Sequence, residues 1–111
     1  MKKLSKKNIV SKIGILGGTF DPPHKGHLYI SKIALQKLRL NKLIWAITKK
    51  NPLKKDPFLK IKIRITLSKK ITKNEKKIFV EYFENKIKSK STFNLINYIK
   101  KKDKNIKLFF L

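Results

Sequence analysis

Cysteine is absent from the sequence, which removes both disulfides and thiolate metal sites from consideration. Acidic residues are scarce, six against thirty basic ones, for a formal net charge of +24. No acidic pair, alone or with the two histidines, amounts to a protein-held metal site. Arginine is nearly missing too: only Arg39 and Arg64 among the basic residues are not lysine. There is no compact arginine cluster and no aromatic-interleaved RNA motif, so the charge reads as the dispersed lysine of a Lys-, Ile- and Asn-rich composition. Such a field attracts nucleic acid only non-specifically and speeds encounter with phosphorylated substrates. Long apolar runs are lacking as well. Nothing approaches a membrane span, and Lys12 interrupts the apolar stretch behind the basic start before a signal-peptide core can form. The expectation is a cytoplasmic protein without a membrane partner.

A chain of 111 residues makes one domain, with 1–8 a basic, poorly ordered tail and 9–111 the folded part. Ile9 to Leu16 is a short apolar run suited to a strand covered on both faces. His27 to Leu40 has a helical pattern, with Ile30, Ile33, Ala34 and Leu38 on one face and Ser31, Lys32, Gln36 and Arg39 pointing away. Leu43 to Ile47 is a second strand, in which Trp45 reads as core rather than as a stacking platform. Thr48 to Pro57 is a loop leaving that strand's C-terminal end, where open α/β sheets bind ligands. Lys77 to Tyr82 reads as a third strand. Thr92 begins a helix with Leu95, Ile96 and Ile99 inward, and Ile106 to Leu111 is a fourth strand.

The stretch from Ile13 to His27, Ile-Gly-Ile-Leu-Gly-Gly-Thr-Phe-Asp-Pro-Pro-His-Lys-Gly-His, has the makings of a phosphate grip. A strand that stops at Gly17-Gly18 turns with its N–H groups facing open space, because glycine adopts positive φ without penalty and carries no side chain to block a ligand. Pro22-Pro23 stiffens the loop, and Gly26-His27 opens a helix whose N-terminus adds its positive dipole end. Asp21, just before the prolines, is best read as a structural carboxylate accepting backbone N–H bonds.

These eleven adjacent residues, GGTFDPPHKGH, resemble the signature of the nucleotidyltransferases that carry the His-x-Gly-His motif, and the double proline is most similar to the nicotinate-nucleotide adenylyltransferase branch. The resemblance implies an α/β, Rossmann-like doubly wound parallel sheet, and the elements above supply it incompletely, as βαβαβαβ. It also favours a helix over the alternating segment Phe58 to Lys70, whose periodicity alone suits a strand equally; thirteen residues exceed a typical strand.

By the same resemblance, ATP and nicotinate mononucleotide react to give deamido-NAD and pyrophosphate, with Mg²⁺ bound to substrate rather than to protein. His24 and His27 inherit contacts to the ATP phosphates, where charge gathers on oxygen during transfer. Gly17, Gly18, Thr19 and Phe20 inherit the lining of the nucleotide site. Lys54, with Lys55 as its rival, occupies the place of a phosphate-contacting lysine. Thr92 corresponds to a threonine that touches the pyridine ring, and serves equally well as a plain helix N-cap. The family's later Gly-x-Asp and Ile-Ser-Ser-Thr-x-Ile-Arg segments have no counterpart before Leu111, so the domain is expected to be truncated on its C-terminal side and to need a second copy or a complementing chain. The alternatives are an inactive nucleotide-binding fragment and another adenylyl- or cytidylyltransferase, such as the phosphopantetheine enzyme.

Overall fold

The computed structural model describes residues 10–49, 56–83, 92–102 and 105–111. Four strands, β1 (Ser11–Gly18), β2 (Lys42–Ile47), β3 (Ile78–Glu81) and β4 (Ile106–Phe110), alternate with three helices, α1 (Lys25–Lys37), α2 (Ile61–Ile71) and α3 (Thr92–Lys102). The strands form one parallel sheet in the order β3-β2-β1-β4. The chain steps outward from β1 to β3, then returns to place β4 on the other side of β1. Open α/β sheets bind ligands outside the carboxyl ends of the strands at such a reversal, which here lies between β1 and β4. No helix among the described residues is long and apolar enough to cross a membrane.

Strand alternation divides the core in two. Leu43, Trp45 and Ile47 of β2 pack with Phe20, Ala34, Leu40 and Ile78 on one face, against α1 and α2. Ile44 and Ala46 pack with Ile13, Ile15, Phe83 and Ile99 of α3 on the other. Burial of both faces is why β2 reads as a continuous apolar run. Segment 58–70, ambiguous by periodicity, is helical over Ile61–Ile71. Arg64, Ser68 and Thr72 are buried there while Ile63 stays exposed, so the inward face follows the helical repeat and ignores the Ile alternation.

Two expectations need correction. In α1 the buried residues are Ser31 and Ala34, whereas Ile30 and Ile33 are exposed. The helix is turned so that Ser31, predicted to point outward, meets Trp45 beneath it, whose indole N–H satisfies the buried hydroxyl. Nor does the first strand stop at Gly17. It continues through Gly18, paired with Ala46 and Ile47 of β2, and no glycine among the described residues has positive φ. The left-handed residue at that turn is Phe20, φ 52°.

Arg39 is the other non-glycine residue with positive φ, 51°. It follows the C-cap Leu38, and Leu40 N–H donates to the Leu35 carbonyl at 3.0 Å while Arg39 N–H donates to that of Gln36 at 3.4 Å. This is a Schellman closure with arginine where glycine is preferred. Leu40, thereby turned inward, is 3% exposed and lies over the bare Cα of Gly14, where a Cβ would come within 2.6 Å of its Cδ1. The exposed Arg39→Gly substitution removes the left-handed strain, and urea denaturation is expected to show a gain of about 0.5–1 kcal/mol.

Candidate active site

The residues singled out between Gly17 and His27 do converge, at the C-terminal end of β1. Gly17 offers bare backbone: a Cβ placed there meets no atom within 4 Å. Thr19 and Phe20 form the turn, and Phe20 is 2% exposed, so its side chain is buried in the core and does not face a ligand. Lys54 and Lys55 lie outside the described residues. Thr92 opens α3; its side chain is likewise outside them.

His24 is the N-cap of α1, in extended conformation, φ −147° and ψ 176°. Its Nδ1 accepts from Gly26 N–H at 3.0 Å, and His27 Nδ1 accepts from His24 N–H at 3.0 Å. Two histidines thus form a reciprocal cap of the kind usually built from serine and glutamate. Gly26 is required by it, because a Cβ would sit 2.8 Å from Nδ1 and Cε1 of His24.

A chemical consequence follows. An Nδ1 that accepts a hydrogen bond carries no proton, so each neutral ring holds its proton on Nε2. The two rings lie 4.0 Å apart, and among the described residues neither Nε2 has a partner. The site therefore presents two neutral N–H donors beside a helix N-terminus and an unobstructed strand end, which is a place for anionic oxygen. Burial, and next the charge that His24 carries when protonated, hold His27 below the ordinary imidazole value of 6.5.

Asp21 is structural, as read, but it pins a distant segment rather than its own turn. Its carboxylate accepts from the N–H groups of Phe58 and, at 2.7 Å, Leu59, just ahead of α2. The sequence reading missed the residue that locks this corner. Arg64, 1% exposed, donates through Nε to the Leu59 carbonyl at 2.9 Å, through one terminal nitrogen to Thr19 and Thr48 at 2.7 Å each, and through the other to Lys49 at 2.8 Å. The planar fork reaches four carbonyls that an ammonium cannot serve together. Its signal was in the composition: a chain that spells nearly every basic position as lysine keeps arginine here.

Two measurements check this account. Arg64→Lys retains the charge but leaves several part-buried carbonyls without their donor, and a loss of about 1–3 kcal/mol in urea denaturation is expected. For His27, the depressed pKa means that the unfolded chain binds more protons than the folded one just below pH 6.5, so stability rises with pH across that window. The contribution is complete above 6.5 and is lost as pH falls through the lower folded value. The urea midpoint is expected to drop between pH 7.5 and 5.5 in the wild type, and to drop less in His27→Gln.

Comparison with known proteins follows this geometry. Residues 15–110 match the model of the cytidylyltransferase-like family. A probable nicotinate-nucleotide adenylyltransferase of Pelagibacter ubique is 50% identical over 91% of this chain and 56% of its own length. Another from Aliarcobacter butzleri is 40% identical over 90% of the chain, again 56% of the relative. Among solved structures, Plasmodium falciparum nicotinic acid mononucleotide adenylyltransferase complexed with NaAD superposes with a TM-score of 0.71 at 21% identity, over 90% of this chain and 50% of that one. The chain spans about half the length of the relatives it matches. With the family match covering most of its residues and the same parallel α/β architecture in a solved relative, the chain belongs to the cytidylyltransferase-like nucleotidyltransferases.

Proposed function

We propose that this chain carries the ATP-phosphate side of an adenylyltransferase that joins ATP to nicotinate mononucleotide, yielding deamido-NAD and pyrophosphate. The observation that carries the reading is the pair of histidines at the head of α1 whose Nδ1 atoms are committed to the cap and whose Nε2–H groups are left as donors, close in sequence to the bare backbone of Gly17. Phosphoryl chemistry of this kind needs little covalent help. The phosphate oxygen of the mononucleotide attacks the α-phosphorus of ATP in line, a P–O bond forms, and the bond to the β-phosphate oxygen breaks with its electron pair leaving on pyrophosphate. Negative charge grows on the non-bridging and departing oxygens, and donors already fixed in place stabilise it without reorganising.

His24 and His27 are assigned to those oxygens as neutral donors, so neither has to lose or gain a proton. The main chain of Gly17, Gly18, Thr19 and Phe20 lines the nucleotide. Lys54 and Thr92 are assigned on the resemblance alone, to substrate phosphate and the pyridine ring. Mg²⁺ enters as part of the ATP substrate, bridging its phosphates. The names of the relatives support the choice of nicotinate mononucleotide as acceptor, and the Pro22-Pro23-His24 sequence supports it over the phosphopantetheine branch.

The test is pyrophosphate release with MgATP and nicotinate mononucleotide, with phosphopantetheine as competing acceptor and CTP as competing donor. In a full-length or complemented form, release with the first pair is expected, and His27→Ala is expected to cut kcat about 10²–10³-fold while raising KM for ATP far less. An unchanged kcat in that variant, or release only with phosphopantetheine or CTP, would overturn the assignment.

A further inference from the structure

Beneath the histidine cap lie two buried polar residues that the chemistry above does not use. Trp45 and Ser31 are both 0% exposed. The Trp45 indole N–H donates to Ser31 Oγ at 2.7 Å, and the Ser31 hydroxyl donates to the His27 carbonyl at 2.7 Å. The Trp45 ring also stacks on Phe20 with centroids 4.9 Å apart, and Phe20 in turn lies 4.5 Å from the His27 ring. His27 is thus gripped twice, under its main chain and against its side chain. Both grips end in one residue of β2.

Neither grip is what folding alone would select. A buried hydroxyl and indole that satisfy each other are worth little net stability over an apolar pair of the same shape, and here they displace Ile30 and Ile33 from the inward face of α1. Phe20, moreover, pays for its place with a left-handed backbone, a conformation unfavourable to a bulky residue. What the arrangement does secure is register. The hydrogen bonds fix the first turn of α1 relative to β2, and the Phe20 ring limits the tilt of the imidazole.

We infer that Trp45 and Ser31, with Phe20 packed against both the Trp45 and His27 rings and those two rings themselves 5.8 Å apart, form a positioning device that sets the direction of the His27 Nε2–H. They are positioning residues, acting on phosphate only through His27, and the inference rests on the reading of that histidine as a phosphate donor. A displacement near 1 Å at such a donor costs up to about 10²-fold in rate, so the device matters out of proportion to its stability.

The sequence contains only two histidines, which makes imidazole ¹H–¹⁵N spectra assignable with His24→Gln alone. In the wild type the His27 ring is expected as the Nε2–H tautomer. Ser31→Ala removes the bridge, and Trp45→Phe keeps a ring on Phe20 while deleting the N–H. Both are expected to shift the His27 resonances, to leave those of His24 nearly in place, and to lower kcat with MgATP and nicotinate mononucleotide about 10-fold at little change in KM. The double variant should be no slower than the worse single one, because the two groups act through one contact. Ser31→Ala is a small deletion and keeps the test available if Trp45→Phe does not fold. A lower urea midpoint with wild-type His27 resonances in both variants would overturn the proposal and leave these residues purely structural. Should His27→Ala prove kinetically silent while Ser31→Ala still moves the His27 spectrum, the phosphate role fails and the positioning stands.

Discussion

The guanidinium of Arg64 sits where three separate segments meet, and it holds all of them by their carbonyl oxygens: Thr19 after β1, Thr48 and Lys49 after β2, and Leu59 ahead of α2. Each segment ends or begins an element at the ligand-binding edge of the sheet, so none can shift without breaking a charge-assisted bond. A buried cation is costly without compensation. Here four oriented carbonyl dipoles stand in for water, and each of those carbonyls would otherwise be an unsatisfied group at a turn. The cation and the turns satisfy one another. Asp21 completes the corner from the opposite side by accepting the N–H groups of Phe58 and Leu59.

With the edge fixed, the helix cap becomes chemistry. A serine cap would satisfy the N–H groups at the head of α1 and end there. A histidine cap spends Nδ1 on the same task and keeps an Nε2–H in reserve, so a structural hydrogen bond and a further donor come from one ring. The bond also selects the tautomer, which a free imidazole would not hold. The depressed pKa of His27, caused first by burial and then by the charge of a protonated His24, works in the same direction. Neutral donors that need no reorganisation suit charge which appears only in the transition state.

Electrostatics at longer range has a different character. The charge of +24 draws phosphorylated molecules toward the whole surface, but it is screened within about a Debye length and does not specify where they bind. Specificity comes from the strand order. The strand order reverses between β1 and β4, and Gly17, near the end of β1, leaves its backbone uncovered.

Local chemistry decided much of this before any folding. The βαβαβαβ order, the strands at 43–47 and 106–111, the helix from Thr92 and the convergence of Gly17 with His24 and His27 were legible, because apolar runs and the dense GGTFDPPHKGH motif depend on neighbours in sequence. The periodicity of 58–70 was not decisive, and the rotation of α1 was misread, since hydrophobic pattern cannot weigh Ile30 against a serine whose partner is Trp45, fourteen residues away. The left-handed residue proved to be Phe20 and not a glycine, because its ring packs against both Trp45 and His27, and packing can hold a backbone that local preference rejects. Arg64 stood out only as an arginine among lysines; that it closes the site corner depends on carbonyls up to 45 residues distant. The sequence by itself determined which groups gather between the end of β1 and the head of α1, because spacing and residue type are set locally. Only the tertiary structure decided how those groups are aimed, because aim depends on contacts between segments that no local pattern encodes.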